Sequence, residues 1–280
     1  MNKVTPKNEF EKRVELIIMR HGEKARGTGI PSDPPLTRIG QEQTINFGKT
    51  QRERLSTAPV IVFASPLLRT LESAANVIEG LGRPEIQINV EEGLIEWLEG
   101  NGDIPMIFPR KQEMIPQDLV RRIDVNYHSR VRMTPEQLYQ ESASQLRQRT
   151  ETVLRELISE SSERLKTLSL PTTTKITAII VTHAAVTVNA LRFLVDPHGL
   201  PGVGWIAPKS FDVSWVPCDL ASATHVVWNE ESNAMVVVGE LGGTSHWTGS
   251  SRGTLFGFAS SVSANLSTFF ESWTSQPPPK

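Results

Sequence analysis

Arg20, His21 and Gly22 directly follow the apolar run Val14–Met19, so a cation and an imidazole stand where a buried strand would emerge. His183, in "IIVTHAA", follows a second apolar strand in the same manner. Arg69, in "FASPLLRTLESAA", lies just inside the helix that follows a third. Ligands of open α/β sheets bind beyond the carboxyl ends of the strands, so these side chains converge on one crevice if the strands are neighbours. Each residue alone reads as structural. Together they describe two imidazoles and two guanidiniums arranged around one anion.

The remaining chemistry-bearing residues offer less. Cys218 is the single cysteine, which excludes an internal disulfide framework, and it reads as a small core residue. His246, in "GGTSHW", follows a strand and a glycine pair, and is expected at the pocket rim or in packing. His128, His198 and His225 have no motif around them. HExxH, paired CxxC, Walker-type and post-strand GxGxxG motifs are all missing from the sequence, so no metal or cofactor is expected.

These positions need a frame. Short β-branched runs alternate with longer helical patterns, which predicts an α/β three-layer sandwich with a mostly parallel central sheet flanked by helices. The expected strands are Val14–Met19, Val60–Ala64, Ile86–Val90, Ile176–Thr182, Thr224–Trp228 and Ala234–Gly239. The near-continuous apolar Ile176–Val181 suits a central strand covered on both faces. Thr37 caps a helix from Arg38 to about Arg54, Pro66 opens one that Gly82 ends, and Thr134 caps a long one towards Leu165. Glu99–Met133 is proline-rich and weakly periodic, and reads as an irregular insertion.

The stretches "MRHGEK", "DPPLTRIGQEQ", "FASPLLRTLESA", "EEGLIEWLEG" and "IIVTHAA" occur in this order between about Leu16 and His183. In this the chain resembles the histidine phosphatase superfamily, with its phosphoglycerate-mutase-like fold. The resemblance implies that His21 is the nucleophile, that Arg20, Arg69 and His183 hold the phosphoryl group, and that an anionic phosphoester is the substrate. The chemistry is consistent: a phosphomonoester dianion repels nucleophiles until its charge is neutralised, and guanidinium presents a planar, always-charged fork to phosphate oxygens. His183, if protonated, would add a third cation. The leaving oxygen needs an acid, and Glu91, Glu92 and Glu96 are the candidates, with solvated loop carboxylates as the alternative. The resemblance favours Glu96, and Trp97 beside it would supply apolar surface. Lys24 falls where phosphatases similar to the suppressors of T-cell receptor signalling carry another arginine. It reads equally well as an exposed loop lysine.

Composition bounds the setting. With 280 residues and a formal charge of −2, the chain has no basic footprint for direct nucleic-acid binding. It has no apolar run of membrane-spanning or signal-peptide length, so a soluble protein, cytoplasmic or nuclear, is expected. The expected layout is an N-terminal arm (1–12), a histidine-phosphatase-like domain (13–253, with the insertion or cap at 98–133) and an amphipathic tail (254–280). Between Pro109 and Met133, Arg110, Lys111, Arg121, Arg122, Arg130 and Arg132 outnumber Glu113, Asp118 and Asp124, which would favour anionic substrates if this segment caps the pocket. "GLIEW", "VTHAA" and "GGTSHW" resemble the domain in the small tau subunit of fungal transcription factor IIIC. That branch implies an alternative: an interaction module on the same fold with weak or no catalysis, its protein partner reached through the tail Phe258–Trp273.

Overall fold

Two strands carry apolar side chains on both faces and therefore sit in the middle of the sheet. In β1 (Val14–Arg20), Leu16 and Ile18 enter one core and Ile17 and Met19 the other. In β4 (Ile176–Thr182), Ala178 and Ile180 are divided in the same way from Ile179 and Val181. Residues 8–25, 33–98, 115–195, 218–232 and 234–246 are described by this computed structural model. The expected tail helix Phe258–Trp273, His198, and the part of the insertion carrying Arg110, Lys111 and Glu113 lie outside the described residues.

The sheet is completed by β2 (Val60–Ala64), β3 (Ile88–Val90), β5 (Ala223–Asn229) and β6 (Ala234–Gly243), in the order β3-β2-β4-β1-β5-β6. The pairs β3–β2, β2–β4 and β4–β1 are parallel, while β5 and β6 add an antiparallel flank. The mostly parallel α/β sandwich read from the sequence is therefore the fold. Helices α1 (Arg38–Gln51) and α2 (Leu68–Leu81) contribute Phe47, Leu71, Val77 and Ile78 to one core. The other core takes residues from α5 (Ala143–Thr167) and α6 (Ala184–Val195). Among the described residues no helix is long and apolar enough to cross a membrane.

Two helix expectations change. The single helix from Thr134 to Leu165 is in fact two, α4 (Pro135–Tyr139) and α5, with α3 (Gln117–Val120) lying in the insertion before them. Thr134 and Ser142 each build a capping box, with Gln137 and Gln145 respectively. The second box starts a new helix and so frees Glu141 to turn inward. Helix α6 was not expected: Val186, Thr187 and Val188 have weak helix propensity. Burial of Val186, Val188, Leu191 and Leu194 stabilises it instead.

Candidate active site

The register of the central pair creates the site. Arg20 lies opposite Thr182 in the β1–β4 ladder, and the next amide, of His21, donates to the Thr182 carbonyl at 2.9 Å. The residues just beyond the ladder, His21 and His183, therefore face each other, with ring centroids 5.4 Å apart at an interplanar angle of 61°. Gly22 lets the first turn of α1 close over this loop: a Cβ there would stand 2.5 Å from the Gly40 carbonyl oxygen. That contact accounts for the glycine of the triplet.

His21 is buried, and its Nδ1–H donates to the Gly22 carbonyl at 2.7 Å. This fixes the tautomer and leaves Nε2 as the bare lone pair. Burial first, then the Arg69 and Arg20 guanidiniums, pushes its pKa well below the ordinary imidazole value. Both effects favour the neutral imidazole at His21.

His183 is also fully buried, and burial, followed by Arg69, pushes its pKa well down. The cationic form considered from the sequence is thus disfavoured in the open site. Its Nε2 lies 2.7 Å from Ser65 Oγ and its Nδ1 lies 3.6 Å from Glu96 Oε2. We assign the Ser65 hydroxyl as the donor to Nε2, which places the ring proton on Nδ1, on the side of the Glu96 carboxyl group. A neutral His183 still donates, and an arriving dianion would favour its protonation.

Arg69, on the first turn of α2, is 3% exposed and lies 3.5 Å from Asp33 Oδ1 and 3.9 Å from Glu96 Oε2. Asp33 also accepts the Leu68 amide at 2.8 Å, which fixes the start of that helix. Arg20 donates through Nη1 to the Cys218 carbonyl at 2.7 Å. Its buried Nε and His183 Nδ1 have no hydrogen-bond partner among the described residues. Buried donors without acceptors are rare in native proteins, and a phosphoryl oxygen would satisfy both. Lys24 is half-buried, not an exposed loop lysine. Burial, then Arg69, lowers its pKa, while Glu96 and Asp33 act in the opposite direction. The Cys218 thiol, pushed up to about 11 by burial, stays protonated.

The three carboxylate candidates separate cleanly. Glu96 is the one that faces Arg69 and His183. Glu92 accepts the Met133 amide at 3.1 Å. Glu91 is fully buried and accepts five hydrogen bonds, from the amides of Gly93, Arg130 and Val131 and the hydroxyls of Tyr127 and Ser129. It is the anchor of the insertion beside the loop that carries Glu96. Replacing Glu91 by alanine leaves those donors buried without an acceptor. The expected cost is about 3 kcal/mol or more, measured by urea unfolding; a loss below about 1 kcal/mol would contradict the anchoring role.

Of the other histidines, His246 packs edge-on against Phe47 with ring centroids 5.2 Å apart, and burial lowers its pKa to about 4. His225 pairs with Glu15 on the sheet, and His128 is exposed on the insertion. Among the described residues no cluster of three or more histidine, cysteine or acidic side chains could hold a metal ion. Ser65, Asp33 and the buried role of Glu91 were not anticipated. Each lies within one of the stretches that carry the resemblance, but acts through partners distant in sequence that the stretch itself does not reveal.

The pattern of the histidine phosphatase superfamily, branch 1, matches residues 16–239, and the chain belongs to that superfamily. Among solved structures, the ecdysone phosphate phosphatase of Bombyx mori, in complex with tungstate, is 18% identical with a TM-score of 0.57, covering 81% of this chain and 92% of its own. A phosphoglycerate mutase from Bacillus anthracis is 16% identical with a TM-score of 0.51, covering 85% of this chain and 97% of its own. Both share the fold. No curated protein matches the chain by sequence.

Proposed function

We propose that the protein hydrolyses phosphomonoesters through a phosphohistidine on His21, without a metal ion. The observation that carries this reading is a buried, tautomer-fixed His21, held towards its neutral form by burial and the guanidiniums, beside two buried donors with no acceptor among the described residues, Arg20 Nε and His183 Nδ1. A module used only for protein contact has no physical need of cations gathered around an unprotonated imidazole.

Arg20, Arg69 and Lys24 neutralise the phosphoryl oxygens, and His183 donates to one of them through Nδ1–H. His21 Nε2 attacks phosphorus as the ester P–O bond breaks, and Glu96 gives its proton to the leaving oxygen. Glu96, now a carboxylate, then takes a proton from the water that cleaves the P–N bond. Inorganic phosphate leaves and the starting protonation states return. The positive charge that a metal ion would otherwise bring is supplied by guanidinium.

The test is turnover of p-nitrophenyl phosphate by the full chain, with and without EDTA. The expected result is hydrolysis that survives chelation. Activity lost on chelation and restored by a metal would overturn the metal-free mechanism. No turnover across a broad panel of aryl, alkyl and sugar phosphates would overturn the hydrolase reading.

A further inference from the structure

The backbone that carries Glu96 is held by side chains from far along the chain. Arg149, on α5, is buried and makes a bidentate pair with buried Glu141: Nε to Oε1 at 2.7 Å and Nη2 to Oε2 at 2.7 Å. Its remaining nitrogen, Nη1, donates to the carbonyls of Gly93 and Ile95, both at 2.8 Å. The carbonyl between them, of Leu94, accepts from Thr182 Oγ1 at 2.8 Å, one residue before His183. On the far side of Glu96, the Trp97 indole donates to the Glu141 carbonyl at 2.8 Å. Three successive carbonyls and the following side chain are thereby tied to α5, the loop ahead of it and β4.

Stability alone does not explain such a pair. Removing two opposite charges from water costs roughly what their attraction returns, and well-packed apolar residues often serve as well. The geometry of the fork offers a reason. Only guanidinium can grip a carboxylate with two nitrogens while a third spans two carbonyls, which fixes the turn Gly93–Ile95 in place. Resting on the reading of Glu96 as the general acid, we propose that Arg149, oriented by Glu141, is a positioning residue. It holds the Glu96 carboxyl at the site, 3.6 Å from His183 and 3.9 Å from Arg69.

The test uses two esters that differ in their need for an acid. The p-nitrophenolate leaving group departs with little help, whereas the alkoxide of glycerol 2-phosphate requires protonation. Arg149→Met, which fills the slot without donors, is expected to lower kcat/KM for the alkyl ester by about 30- to 100-fold and for the aryl ester by less than about threefold. In a Glu96→Gln background the same change should add nothing. Equal losses on both esters, or a loss that multiplies with Glu96→Gln, would overturn the proposal. If Arg149→Met does not fold, Glu141→Gln, which keeps one acceptor for the fork, carries the same comparison and the same criteria. A readout free of turnover separates this proposal from the hydrolase reading. The 13C carboxyl resonance of Glu96 and the ring resonances of His183 should move in the folded variant although Arg149 touches neither side chain, and unchanged resonances would overturn positioning. A wild type inert on both esters would overturn the hydrolase reading alone, leaving the resonances to decide whether Arg149 positions Glu96.

Discussion

His21→Ala is expected to lower hydrolysis of an aryl phosphate by at least about a thousandfold, because it removes the proposed nucleophile. The effect should exceed that of any other single change at the site. The covalent step gives it a direct signature. Wild-type protein mixed with 32P-labelled substrate and quenched into alkali should retain label on His21, since a P–N bond survives alkali and breaks in acid. The alanine variant should retain none. Label persisting at full stoichiometry in the variant would move the nucleophile elsewhere. Folding is controlled by vanadate, which the intact cations Arg20, Arg69 and Lys24 should still bind, raising the thermal midpoint of the variant.

Arg69 comes second. Arg69→Met removes the cation that faces both Asp33 and Glu96, and is expected to reduce kcat/KM by about two to three orders of magnitude. Arg69→Lys should fall between, since it restores charge without the fork. The pH dependence tests the electrostatic argument separately. Arg69 helps to depress the His21 pKa, second only to burial. A depressed nucleophile stays unprotonated as pH falls, so wild-type kcat/KM should hold through about pH 6.5, the ordinary imidazole value. In Arg69→Met the pKa rises, a larger fraction of His21 is protonated at a given acidic pH, and the acidic limb should move to higher pH. Superimposable acidic limbs in the two proteins would refute this coupling.

What could be read from the sequence was what sits at strand ends. Arg20, His21 and His183 follow runs whose apolar continuity marks them as central strands, and Arg69 follows a third such run by a short helical step. Glu96 was distinguishable from Glu91 and Glu92 only by resemblance. Which of adjacent carboxylates faces a pocket depends on the local turn, here a short 3-10 turn at Glu92–Leu94. The Ser65–His183 bond could not be read, because it links positions related only by the β2–β4 pairing. The second capping box was legible, since Ser142 followed by Gln145 is a start signal that the long apolar stripe concealed. Arg149 was legible too, in a different way. It lies three residues after Leu146 and four before Val153, on the face that packs into the core. A cation in that row requires a buried partner. Only the coordinates identify the partner as Glu141.

The strand order has a consequence for how the chain reaches its active form. Strand β4 inserts between β1 and β2, both of which precede it in the chain. A chain emerging from the ribosome can make β1, β2 and β3 with their helices and still lack its middle strand. Until that slot is filled, His183 is not delivered to its counterpart and the Leu94 carbonyl waits for Thr182. Such distant parallel pairings form late, because loop closure must precede the contacts that reward it. Phosphoryl chemistry is therefore withheld from partly folded chains, and an oxyanion such as tungstate would report specifically on completion of the sheet.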